Sequence, residues 1–152
     1  MKLGAALIAG FTGAGALTVM HQKLQKTNEN APRMDLLAMN ALAKFLKLPQ
    51  DKLNNDPEAY NLTLLGDIIS NSLYYSLIGI GGKNKIFLRG AALGLLAGIG
   101  AVVLPEYLHL NPAYSGRTKE TKALTILLYV LGGIAASAEY KVETRDKRKK
   151  KK

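Results

Sequence analysis

The chain has 152 residues, with 21 Lys and Arg against 11 Asp and Glu, a formal charge of +10 and no Cys. That length suits one domain, and the missing Cys excludes disulfides, Cys-ligated zinc and a thiol nucleophile. Residues 141–152 hold eight basic and two acidic side chains, so +6 of the +10 lies there. The remainder is only mildly basic, and no nucleic acid is expected as a partner.

Leu3 to Met20 are eighteen positions without a charge, close to the ~20 apolar residues that a membrane-spanning helix needs. They predict a first span at 3–20. Met1-Lys2, the apolar run and the pair Ala14, Ala16 also fit a cleavable secretory signal. A single lysine ahead of a run as apolar as the later ones favours a retained span.

Residues 32–48 predict an amphipathic helix. Pro32 suits its first turn, Asp35 its positive start, and Pro49 its end. Met34, Leu37, Ala38, Ala41, Leu42 and Phe45 share one face, with Asn40, Lys44 and Lys47 opposite. Such a helix lies in the membrane interface or caps the bundle from outside.

Asn61 to Gly82 carry a single charge, Asp67, and predict a second span at 61–80. A carboxyl about two turns into a span is costly unless it faces the bundle interior. Ser70, Asn71 and Tyr74 follow Asp67 at i+3, i+4 and i+7, which places all four on one polar stripe. The stripe could line a proton or solute path. The favoured reading is interhelical bonding that fixes register, because one acidic residue makes an incomplete pathway.

Gly90 to Leu104 is charge-free and predicts a third span at 88–106, with Gly90, Gly94 and Gly98 on one face. Small residues four apart let helix backbones approach closely in lipid. Ala123 to Ala138, with Gly132, Gly133 and Ala136, predicts a fourth span at 123–140. Gly4-Ala5-Ala6-Leu7 returns as Gly90-Ala91-Ala92-Leu93, and Leu62-Thr63-Leu64-Leu65 loosely as Leu124-Thr125-Ile126-Leu127. A duplication of that kind would make two hairpins related as parallel repeats.

The segment 141–152 reads as a basic tail whose Lys147, Arg148, Lys149, Lys150, Lys151 and Lys152 touch an anionic leaflet. Basic residues stay cytoplasmic, so four spans place both termini there, along with Lys83, Lys85 and Arg89. The six basic residues between His21 and Tyr60 then fall outside, against the rule.

His21 and His109 end the first and third spans and are the candidates for metal or haem ligation, without a spacing motif. There is no phosphate loop, G-x-S-x-G or H-E-x-x-H, so neither a cofactor nor an enzyme is expected. The fold expectation is an all-α integral membrane protein. It has one membrane domain over 1–140, four spans and one interfacial helix, in the cell membrane of a bacterial type (inner membrane). The expected partners are the lipid bilayer and, through the glycine faces, a second copy or a larger membrane complex. The functional expectation is a structural or accessory subunit working by helix packing, with a small channel or transporter built on the Asp67 stripe as the alternative.

Overall fold

A computed structural model describes residues 2–49, 53, 56–81 and 84–149, with the backbone alone over 146–149. The described residues form helices and connecting turns, with no strand among them. Helix α1 spans Leu3–Gln25, α2 Met34–Leu46, α3 Pro57–Ser76, α4 Ile86–Tyr107, a single turn α5 Ala113–Gly116, and α6 Lys119–Lys149. Three of them, α1, α4 and α6, are long and apolar enough to cross a membrane. Helix α3 has the length at 20 residues, but Asp67, Asn61, Asn71 and its hydroxyl side chains make it too polar to join that group on composition.

Local chemistry explains where the helices start and stop. Asp56 caps α3, accepting from the Glu58 N–H at 2.9 Å, and Pro57 fills the next position, where a missing N–H costs nothing. Helix α3 ends at Ser76 in a 3₁₀ turn over Leu77–Gly79 rather than running to residue 80. Helix α2 begins after Pro32 and ends at Lys47, whose φ of 55° lets the Leu48 N–H turn back to the Ala43 carbonyl at 2.9 Å. Helix α6 continues beyond residue 140 through much of the predicted tail, because Lys, Glu and Arg are good helix formers in water. The side chains of Lys147, Arg148 and Lys149, and all of Lys150, Lys151 and Lys152, lie outside the described residues.

The four long helices pack as a row in the order α3, α1, α6, α4. Glycine sets their spacing. A Cβ on Gly90 or Gly94 would strike the α6 backbone at Gly133 or Tyr129, and one on Gly98 would lie 2.7 Å from the Ile126 Cα. The predicted glycine face of α4 therefore meets α6 of the same chain. Gly10 of α1 meets the α3 backbone at Ser72 and Ser76, and Gly13 meets Gly132 and Ala136 of α6. The suggested repeat does not extend to these contacts, for Gly4 has no neighbour within 4 Å where Gly90 is tightly enclosed.

The faces of α2 differ from expectation. The Asn40 Oδ1 accepts from the Asn111 N–H at 2.8 Å, and the Lys44 ammonium donates to the Leu108 carbonyl. Phe45, placed by periodicity on the apolar face, is 86% exposed. The loop after α4 supplies polar partners that a lone amphipathic helix would find in water.

Candidate functional site

Between α1, α2 and α3 lies a half-open cavity of about 40 Å³. Helix α1 contributes Thr18, His21, Gln22 and Gln25, at i, i+3, i+4 and i+7. Helix α3 contributes Tyr60, Thr63, Leu64 and Asp67 with the same spacing, and the first turns of α2 add Met34, Asp35 and Ala38. Two antiparallel helices thus present matched faces, one wall each, while α2 closes the third side.

The lining is largely polar, with Thr18, His21, Gln22, Gln25, Asp35, Tyr60, Thr63 and Asp67 among its residues. His21 is 6% exposed, and its Nε2 has no hydrogen-bond partner. The same holds for the buried Thr18 Oγ1. A buried polar atom without a partner costs about 1–3 kcal/mol, and both of these atoms belong to residues that line the cavity. The His21 ring packs edge-on against Tyr129, with centroids 6.1 Å apart and planes at 75°. Asp67, half-buried, accepts at Oδ1 from Asn71 Nδ2 at 2.9 Å. One water needs roughly 10–15 Å³ of such space, so the cavity has room for about three waters or one small ion.

The mouth is fixed by Asp35. Its Oδ1 accepts from Gln25 Nε2 at 3.1 Å and Arg33 Nε at 3.0 Å, and its Oδ2 from Arg33 Nη2 at 2.8 Å. Burial pushes the Asp35 carboxyl up, but the hydrogen bonds and charge of Arg33 outweigh it and hold the carboxyl below the usual range. Asp35 therefore stays ionised at neutral pH. The segment before it is pinned to the start of α6 and the turn ahead of it: Asn28 and Asn30 donate to Glu120, and Arg117 donates to the Glu29 carbonyl at 2.6 Å.

The predicted polar stripe divides. Asp67 and Asn71 bond to each other within α3, in place of the expected bonds to a neighbouring helix, because i, i+4 spacing brings their side chains together on one helix face. Ser70 is exposed and donates to the Asp67 carbonyl of its own helix at 3.1 Å. Tyr74 reaches across to the Leu93 carbonyl of α4 at 2.8 Å. Asp67 also borders an open groove between α2 and α3, shared with Phe45, Leu62, Gly66 and Ser70. Beside the cavity the bundle is filled by Leu17, Tyr75, Leu128, Tyr129 and Ala136, and at the opposite end by Ala5, Ala6, Ala9, Ile78, Ile86 and Tyr140.

His21 lines the cavity, whereas His109 sits exposed in the loop after α4 with φ 53°. No group of three or more His, Asp or Glu side chains comes together among the described residues. Thr18, Gln22 and Gln25 were not singled out by sequence, although four polar residues on one face of an otherwise apolar helix are a readable signal. Set against known protein families, curated proteins and solved structures, the chain matches none.

Proposed function

We propose that the protein is a four-span membrane protein with both termini cytoplasmic, and that it serves as a structural or accessory subunit through helix packing. One observation carries the fourth span. On α3 the outward residues Leu62, Leu65, Ile69 and Leu73 are all more than half exposed, while Asp67, Asn71, Tyr74 and Tyr75 turn inward. Apolar outside and polar inside is the reverse of a water-soluble helix and suits lipid contact. Twenty residues rise about 30 Å, the thickness of the hydrocarbon core. Helix α3 also runs antiparallel along α1, since Gly10 meets Ser72 and Thr18–Gln25 face Tyr60–Asp67.

Reporter fusions at residues 40, 85 and 115 test the layout. Residue 85 should report cytoplasmic, and residues 40 and 115 outside. A cytoplasmic signal at 40 or 115 overturns the orientation. Recovery from the aqueous fraction without detergent overturns membrane insertion. The bacterial inner membrane is the proposed location, with α2 lying at its outer interface.

The accessory reading is supported by how the stripe is spent: Tyr74 is committed to a bond with α4, Asn71 to one within α3, and Leu17, Tyr75 and Tyr129 fill the core beside the cavity. Purification with native lipids and mass measurement of the intact complex tests it; a discrete larger partner, or a second copy, is the expected result. The cavity itself favours a second reading, a small transporter in which Asp67 and His21 hold a proton or small cation on the outer side. Flux in liposomes that vanishes in a folded Asp67→Asn protein would establish that reading over the first.

A further inference from the structure

We propose that the recess between the start of α4 and the end of α6 binds the phosphate of one anionic phospholipid. It measures about 340 Å³ and is lined by Lys85, Phe87, Leu88, Lys141 and Arg145, together with Ile86 and Thr144. That volume lies in the range of small-molecule sites, roughly 300–1,000 Å³.

Three cations converge there from two helices. Lys85 precedes the first turn of α4, with φ 67°, and Lys141 and Arg145 lie one turn apart on α6. The Lys141 ammonium stands 5.2 Å from the centre of the Phe87 ring, which holds the charge at the wall of the recess. Glu139 and Glu143 project from the opposite side of α6, given 100° per residue. Helix α4 has no acidic residue in its first turn and no side-chain cap at Lys85, so its N–H groups add positive potential beside the cations.

A lipid, rather than a soluble phosphate, is indicated by the apolar wall. Phe87 is 42% and Leu88 65% exposed within the same recess as the cations. Helix α4 begins there and is long enough to cross the bilayer, which puts its first turn at headgroup depth. A phosphodiester would sit among the cations while an acyl chain runs down Phe87 and Leu88. Basic pockets between spanning helices take anionic headgroups in this way. The site depends on α4 and α6 crossing the membrane and on nothing else in the proposed function.

Native mass spectrometry of the intact chain released from detergent tests the site without reference to topology. Phosphatidylglycerol and phosphatidylcholine with identical acyl chains are the probes. Wild type should retain one phosphatidylglycerol in preference to phosphatidylcholine, and millimolar inorganic phosphate should not displace it. Each cation near the surface is worth about a fivefold change in affinity. Lys85→Gln, Lys141→Gln and Arg145→Gln together should therefore erase a preference on the order of a hundredfold, while Gln in place of Lys149–Lys152 should leave the tight lipid bound. Melting of each variant in the same detergent shows that it is folded; if the triple variant fails to fold, the single Arg145→Gln variant should still lose about fivefold. Retained preference in the folded triple or single variant, loss of the tight lipid in the tail variant, or full displacement by inorganic phosphate would overturn the proposal.

Discussion

The Tyr75 hydroxyl donates to the Tyr129 carbonyl at 2.7 Å, tying α3 to α6 although α1 lies between them in the row. The ring passes through a gap left by two glycines. A Cβ on Gly132 would stand 2.8 Å from the Tyr75 oxygen, and one on Gly13 would stand 3.2 Å from its ring. Tyr75→Phe should lower stability by about 0.5–1.5 kcal/mol, the net worth of one hydrogen bond. Gly132→Ala should cost more, because the hydroxyl is fully buried and cannot swing away. The double variant should be more stable than the sum of the two losses predicts, since removing the oxygen relieves the clash. Additive melting shifts would count against this account.

Glycines of the same type should respond oppositely according to place. Gly94→Ala sets a Cβ against the Tyr129 and Val130 backbone and should separate α4 from α6, with a loss of about 1–3 kcal/mol. Gly15 has no neighbour within 4 Å, so Gly15→Ala should raise stability by up to about 1 kcal/mol through helix propensity alone. Melting curves of both variants in one detergent suffice, and a matching sign would refute the distinction.

Asp67 discriminates between packing and transport. Asp67→Asn keeps a hydrogen-bonding group for Asn71 and should melt close to wild type. Asp67→Leu leaves the Asn71 amide without its partner on the same helix and should lose roughly 0.2–0.5 kcal/mol, the worth of such an i, i+4 pair. Unchanged flux in a folded Asn protein would remove proton relay from consideration.

The Arg33–Asp35 pair gives the acid response a definite sign. Because the folded carboxyl is held below its ordinary value, its stabilising effect is complete above the usual carboxylate range. It is lost as pH falls through that range and below it. In Arg33→Gln, burial is left to push the carboxyl up, so the difference in stability between wild type and variant should be largest near neutrality and shrink in acid. A difference that stays constant from pH 7 to about pH 3 would show that Asp35 does not titrate with the fold.

Charge-free runs located α1, α4 and α6 because a bilayer interior tolerates almost no ionised side chain. The ends of α3 and α6 were less readable. Gly79 and Gly81 permit the chain to turn after Ser76, and the charges after Tyr140 end the apolar run but not the helix. The i, i+4 spacing of Asp67 and Asn71 is visible in sequence, and the two do bond. The rest of the cavity depends on α2 folding back over α1 and α3. Asn40 and Lys44 were read as water-facing because the partners at Leu108 and Asn111 lie more than sixty residues away.

The order of helices in the row has a consequence for how the chain is made. The α1–α3 hairpin can close as soon as it emerges, whereas α4 meets that hairpin through few contacts: the Tyr74 bond to Leu93, the Arg89 bond to the Ile78 carbonyl and the packing of Ile86 on Ala5, Ala6 and Ala9. Its glycine face has no partner until α6, the last long helix synthesised, wedges in between α1 and α4. During that interval the glycine face of α4 is open to any helix with a matching small-residue face, the α6 of another copy included. Exchange of α6 between neighbours would then be the characteristic misassembly of this protein, and synthesis rate would govern how often it happens.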